Sequence, residues 1–187
     1  MMRESRPMKT YIALFRGINV GGNSILPMKE LVVVLESIGL HNLKTYIQSG
    51  NVLFQSKGKS DTQLSAAISG AIKQSHGFEP KVLLLDSMAL EKVIQANPFV
   101  EAEAVPNTLH VGFMASIPDD PDMQSLEKIR AEKERFQIIK NTFYLYAPDG
   151  IGRSKLAAQA EKILGAPMTM RNWRTVSKIM TMVQEYR

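Results

Sequence analysis

Two hydrophobic periodicities alternate along this chain in an order that occurs twice, and that repetition constrains its fold more than any other feature. Thr10–Phe15 reads as a strand after Pro7. Met28, Leu31, Leu35 and Ile38 fall at spacings of 3, 4 and 3, on one face of a helix opened by Pro27 and stopped by Gly39. Lys44–Ile47 and Asn51–Gln55 flank Gln48-Ser49-Gly50 and read as a hairpin. Asp61 is expected to cap a helix to Ser75, with Leu64, Ala67, Ile68, Ala71 and Ile72 as its stripe and Gly77 as its end. Val82–Leu85 is a continuous apolar run, expected to be a buried strand. Ser87 is expected to cap a short helix that stops before Pro98.

The second half runs through the same order. Leu109–Ala115 reads as a strand, and Pro121 begins a charged helix to about Arg135. Phe136–Ile139 and Phe143–Tyr146 pair across Lys140-Asn141-Thr142. Ser154–Leu164 is a helix with Leu156, Ala160, Ile163 and Leu164 on one side. Met168–Met170 is a short strand, and Asn172 caps a last helix to about Glu185. This order is the split βαβ of ferredoxin-like units. The expected architecture is α+β: two ferredoxin-like (βαββαβ) subdomains in tandem, 8–97 and 107–187, with antiparallel sheets backed by helices. Asn97–Asn107 is the expected joint.

A length of 187 residues suits one large domain or two small ones, and 44% hydrophobic with 22% charged content fits a globular chain. No apolar run approaches the ~18 residues that span a bilayer. The opening MMRESRPMK lacks the apolar core of a signal peptide. With no cysteine, disulfides, thiolate chemistry, iron–sulfur clusters and Cys-ligated zinc are excluded. His41, His76 and His110 share no metal-ligand spacing, and Asp119, Asp120 and Asp122 suit a first helical turn and miss the calcium-loop pattern. A cytoplasmic protein without metal or membrane is the expectation.

The net charge is +5, unevenly spread. Residues 1–97 carry 11 Lys/Arg against 7 Asp/Glu, residues 98–149 carry 5 against 9, and residues 150–187 carry 7 against 2. A basic C-terminal segment attracts phosphates, nucleic acid or acidic partners, or simply solvates a helical face.

Four segments carry the residue types that such binding needs. In Arg16–Ser24 (RGINVGGNS), Gly17 to Gly22 stands one letter from the phosphate loop G-x-x-x-x-G-K-[ST]. The missing Lys argues against nucleotide hydrolysis. The glycines still allow close approach of backbone N–H groups to an anion, with Arg16, Asn19, Gly21 and Gly22 as candidates. In Tyr46–Phe54 (YIQSGNVLF), Ser49 and Asn51 crowd the hairpin tip, where turn chemistry alone also explains them. Ser49 lacks the G-x-S-x-G setting of a nucleophile. At Gly150–Leu156, Arg153, Ser154 and Lys155 sit where a helix begins, an end that favours anions and disfavours cations. That conflict is itself a hint of function. Finally, Arg171, Arg174 and Lys178 are expected opposite a stripe of Trp173, Val176, Ile179, Met180 and Val183, with Asn172 at the helix start. Glu127 through Arg135 reads as a charge-laced solvent face.

ALFRGINVGGNSILPMKEL (13–31), TYIQSGNVLFQS (45–56), NPF (97–99), GRSKL (152–156) and RNWRTVSK (171–178) together resemble a bacterial family called domain of unknown function 1697. The likeness spans about Lys9 to Val183. It implies a cytoplasmic protein of two ferredoxin-like subdomains, and it implies no activity. Members often carry a Lys directly after the Gly-Gly pair. Asn23 stands there in this chain, which weakens an anion role for that loop.

The leading functional expectation is a binding module for a phosphate-bearing small molecule, a nucleotide or nucleic acid, at a groove between the subdomains. An enzyme of unknown reaction with its cleft there, using Arg16, Asn19, Ser49, Asn51 and Arg153 to position a substrate, and a protein-interaction module are the alternatives. No activated nucleophile or general base stands out, and no cofactor is indicated. The central strands lack the aromatic pattern on which RNA-recognition domains stack bases.

Overall fold

The computed structural model describes residues 7–22 and 24–186. Residues 1–6, Asn23 and Arg187 lie outside the described residues. So do most of the stretch read for a signal peptide and the Asn23 position of the Gly loop.

The chain forms two compact units. One runs to Leu90 and takes in the segment from Ile179; the other is Glu91–Lys178. In the first, β1 (Lys9–Arg16), α1 (Met28–Ser37), β2 (His41–Tyr46), β3 (Asn51–Ser56), α2 (Asp61–His76) and β4 (Lys81–Asp86) follow in order. The sheet order is β2-β3-β1-β4, and every neighbouring pair is antiparallel. Residues directly opposite in such pairs share a face. Tyr11 opposite Phe54 and Ala13 opposite Val52 therefore present one apolar surface to Leu31 and Leu35 of α1 and Leu64, Ile68 and Ile72 of α2. The Tyr11 and Phe54 rings stack at 5.4 Å. Burial of each such aliphatic side chain contributes about 1.5–3 kcal/mol before entropy is counted.

Past α3 (Ser87–Gln95), the second unit repeats the scheme with β5 (Leu109–Met114), α4 (Met123–Ile129), β6 (Arg135–Ile139), β7 (Thr142–Tyr146), α5 (Lys155–Leu164) and β8 (Met168–Asn172), followed by α6 (Trp173–Gln184). Its sheet order is β6-β7-β5-β8, again all antiparallel. Both sheets fit the ferredoxin-like arrangement expected from the sequence. The same hydrogen bond closes each unit: the Phe15 N–H donates to the Gly50 carbonyl at 2.8 Å, and the Met114 N–H to the Asn141 carbonyl at 2.9 Å. Each hairpin turn is thereby fixed to the end of the unit's first strand.

The Asn97-Pro98-Phe99 segment has a local structural cause. Asn97 Oδ1 accepts from the Phe99 N–H at 3.0 Å and Asn97 Nδ2 donates to Glu103 at 2.7 Å. Phe99 is buried, and the Arg135 guanidinium stands 4.9 Å from its ring centre and 4.8 Å from that of Tyr146 while pairing with Glu101. The Tyr144 hydroxyl donates to the Val93 carbonyl at 2.7 Å, and burial pushes its pKa up to about 12.

Several local expectations are corrected. The N-cap of α2 is Ser60, in a capping box with Gln63, so Asp61 is already the first helical residue. Asp86 caps α3 by accepting from the Ala89 N–H at 2.8 Å, and Ser87 lies within the helix. The strand around Val82–Leu85 is half-buried, because β4 is at the sheet edge. The helix expected from Pro121 to Arg135 ends at Ile129, where Arg130 turns extended at ψ 129 and its guanidinium donates to the Glu134 carbonyl at 2.7 Å. The charged run is therefore a turn leading into β6, not one helical face. On α6, Met182 is buried where Met180 was expected.

His110, on β5, is 5% exposed, and its Nδ1 is buried without a hydrogen-bond partner among the described residues. Burial pushes its pKa below the ordinary 6.5, and a backbone contact with Thr108 offsets part of that shift. The folded chain thus binds fewer protons here than the unfolded chain. The stabilisation is complete above about 6.5 and is lost as the pH falls from there towards the lowered folded value. Urea unfolding at about pH 7 and about pH 5 is expected to show a loss of up to about 1.4 kcal/mol per pH unit from this group. His110→Gln is expected to flatten that dependence. An unchanged slope in the variant would assign it to other groups.

Candidate functional site

At the end of β1 the chain leaves the sheet through Gly17 and returns to α1 at Met28. Gly17, Gly21 and Gly22 all have positive φ, as do Asn19 at 55° and Ser24 at 54°. No side chain presses on these glycines, so their role is conformational. Asn19 organises the loop. Its Nδ2 donates to the Leu26 carbonyl at 2.9 Å and to the Gln48 carbonyl at 2.8 Å, while its Oδ1 accepts from the Leu26 N–H at 2.7 Å. The Gly loop and the β2–β3 turn are thereby one body.

In that turn, Asn51 is fully buried and donates to the Tyr46 carbonyl at 3.1 Å and to Ser49 Oγ at 3.2 Å. Asn19 and Asn51 are thus spent on holding loops, and the Ser49 hydroxyl takes part in the same network.

Beside this body the first unit has an open cavity of about 290 Å³. Arg16, Gly17 and Ser24 line it from the β1 end, and Phe78, Glu79 and Lys81 from the connection between α2 and β4. Arg16 and Lys81 are directly opposite in the β1–β4 register. Glu79 is engaged by Lys73 at 2.9 Å. Two cations, a hydroxyl and the bare backbone of Gly17 therefore line one space beside the Lys73-paired Glu79 carboxylate, and these donors suit an anion.

Sequence reasoning found Arg16 and the glycines but missed Lys81. Its partner lies 65 positions away in sequence, and only the strand register pairs them. Pro80-Lys81 before an apolar run gave no signal of its own.

The other two segments lie in or at the end of the second unit. Arg153 closes a single 3-10 turn, Ile151–Arg153, and is exposed, as is Lys155 at the first position of α5. Ser154 is buried and accepts from the Ala157 N–H at 2.9 Å, so its hydroxyl acts as the helix cap. Arg171 does not share the helical face with Arg174 and Lys178. It lies on β8 opposite Val111, donates to the Met170 carbonyl at 3.0 Å, and burial lowers its pKa to about 10. Asn172 caps α6, accepting from the Thr175 N–H at 2.9 Å, and Arg174 and Lys178 are exposed on that helix.

One further cluster has the residue types of an acyl-transfer site. Ser75 Oγ lies 2.8 Å from His76 Nδ1, and His76 Nε2 lies 2.9 Å from Glu30. The Ser75 hydroxyl, however, donates to the Ala71 carbonyl at 2.9 Å. The surrounding helix end presents carbonyls, which repel an oxyanion. Among the described residues no three His, Cys, Asp or Glu side chains are grouped to hold a metal, and no helix is long and apolar enough to cross a membrane.

A structure titled "The structure of conserved bacterial protein SP0830 from Streptococcus pneumoniae" is similar throughout. Identity is 25%, the alignment covers 95% of this chain and 99% of that one, and the TM-score is 0.72. No curated protein matches this chain. The family model described as "Protein of unknown function (DUF1697)" matches residues 8–144, and the chain belongs to that family.

Proposed function

We propose that this protein is a binding module for a phosphate-bearing ligand, held in the cavity beside the Arg16–Ser24 loop. The observation that carries this reading is the register of Arg16 opposite Lys81. Like charges directly opposite in an antiparallel pair destabilise a sheet. A dianion between the two cations reverses that sign. Exposed Gly17 and the Ser24 hydroxyl add donors at the same cavity.

The test is a calorimetric titration with inorganic phosphate and with a nucleoside monophosphate, at low and moderate salt. Arg16→Ala with Lys81→Ala is expected to weaken binding about tenfold or more, since each charge-assisted hydrogen bond to an ionised group is worth about 1.5–3 kcal/mol. Arg153→Ala with Lys155→Ala is expected to leave it unchanged. Affinity should fall with salt, because exposed charges are screened over about 8 Å at physiological ionic strength. Lys81→Glu is expected to abolish binding while raising low-salt stability by about 0.5 kcal/mol. Equal affinity in wild type and the Arg16/Lys81 variant, or no binding by wild type, would refute the reading.

A further inference from the structure

We infer that the loop tip bordering this cavity docks onto an anionic phospholipid surface, with Val20, Ile25 and Ile47 entering the boundary between headgroups and acyl chains. The inference rests on the phosphate reading above, since the Arg16–Lys81 cavity then takes a headgroup phosphate. Val20 is 65% exposed, Ile25 64% and Ile47 49%. They belong to two loops, but the Asn19 side chain bonds Leu26 and Gln48 at once. Val20 follows Asn19, Ile25 precedes Leu26 and Ile47 precedes Gln48. Each aliphatic is therefore one Cα step, about 3.8 Å, from a residue in a single clamp. Three large aliphatic side chains are therefore exposed on two loops joined by one clamp.

Ile47 adds an independent observation. Its φ is 51°, a left-handed conformation that a β-branched side chain resists and that Asn or Gly would fill without strain. Turn chemistry alone does not select isoleucine there. An apolar destination for the side chain does.

Charge selects the surface. At this end of the sheet stand Arg16 at the close of β1, Lys29 in the first turn of α1, Lys73 in the last turn of α2 and Lys81 at the start of β4, against Glu30 and Glu79. A mixed aliphatic and basic tip complements anionic headgroups over an acyl layer. A second protein fits less well. A stable protein interface needs about 800 Å² and roughly 20–30 residues a side, anchored by Trp, Tyr or Arg in pockets, whereas this tip exposes three aliphatic side chains. Attachment at a surface is also compatible with the absence of a membrane-crossing helix among the described residues.

The test is co-sedimentation of the full chain with phosphatidylcholine vesicles and with vesicles in which a third of the lipid is phosphatidylglycerol. Binding is expected for the anionic vesicles alone. Val20→Ser, Ile25→Ser and Ile47→Ser together are expected to lower the bound fraction about tenfold while leaving affinity for inorganic phosphate unchanged. Ile47→Gly, which removes both the side chain and the strain, is expected to weaken vesicle binding and raise thermal stability, so the result stands even if the triple variant folds poorly. Wild type that binds inorganic phosphate but not anionic vesicles overturns this inference and leaves the phosphate reading intact. Equal binding to both vesicle types, or vesicle binding that survives the Arg16/Lys81 variant, overturns the headgroup role. A lipid-free dimer dispersed by the triple variant overturns it in favour of a second copy of the chain.

Discussion

Replacing Gly50 by alanine is expected to cost about 2–5 kcal/mol and to remove much of the first unit's stability. Two terms act together. Gly50 sits at φ +78°, where an L-residue with a Cβ loses roughly 1–2 kcal/mol. The new Cβ would also stand 2.6 Å from Ile18 Cδ1 and 2.6 Å from Phe15 Cβ. Neither neighbour has room to yield. Both are 1% exposed, and Phe15 is held in the central strand, its own N–H bonded to the Gly50 carbonyl. Overpacking of this kind adds about 1–3 kcal/mol. Gly39→Ala is the control: its φ is +81°, but nothing lies within 4 Å of its Cβ position, so only the backbone term of about 1–2 kcal/mol applies. Urea unfolding of the two variants measures the difference. Equal losses would show that the packing term at Gly50 relaxes away.

The element order was legible because each element's period is written locally. Leu31 and Leu35, or Leu64, Ile68 and Ile72, announce a helix face whatever surrounds them, and the structure buries all five. What was not legible depended on partners distant in sequence. The Ser60–Gln63 capping box is the exception, a local signal that places the cap one residue before Asp61. The end of α4 was different: charged residues 127–135 satisfy helical spacing, and only the Arg130 bond to the Glu134 carbonyl and the pairing of Arg135 with Tyr146 show that the chain has turned into a strand. Arg171 read as a helical surface charge for the same reason, since nothing local says that β8 extends to Asn172.

The candidate site shows the same division more sharply. Its glycines and Arg16 are visible in the sequence, while Lys81 and the Asn19 clamp exist only through register and loop closure. The internal repeat gives a measure of what is specific to it. Since Phe15 and Met114 make the same hydrogen bond to their hairpin turns, Arg16 corresponds to Ala115. Val82, opposite Phe15, corresponds to Met168, so Lys81 corresponds to Pro167. The second unit keeps the scaffold and carries Ala and Pro where the first carries two cations. The scaffold common to both units therefore does not itself require that pair.

Asn19 is the residue on which the candidate site depends without lining its cavity, and three substitutions separate its roles. Asn19→Gly keeps the left-handed backbone at φ 55° and deletes the three hydrogen bonds. At roughly 0.5–1.5 kcal/mol net for each, offset in part by relief of the left-handed Cβ strain, the expected loss is about 2 kcal/mol. Asn19→Ala deletes the same bonds and keeps a Cβ in that conformation without the relief that glycine gives, for a total of about 3 kcal/mol. Asn19→Asp keeps the acceptor for the Leu26 N–H but turns both amide donors into a carboxylate facing the carbonyls of Leu26 and Gln48. Its loss is expected to exceed that of Gly at neutral pH and to shrink in acid, where the protonated carboxyl regains one donor. Urea unfolding gives the energies, and amide exchange at Leu26 and Phe15 reports whether the loop and the turn loosen together. If Asn19→Gly matches wild type in both measurements, the clamp contributes nothing and the loops are held by their other contacts, the Asn51 hydrogen bonds and the Phe15–Gly50 bond among them. If instead exchange rises at Leu26 but not at Phe15, the Gly loop moves independently of the hairpin, and the single body required for a preorganised anion site is lost.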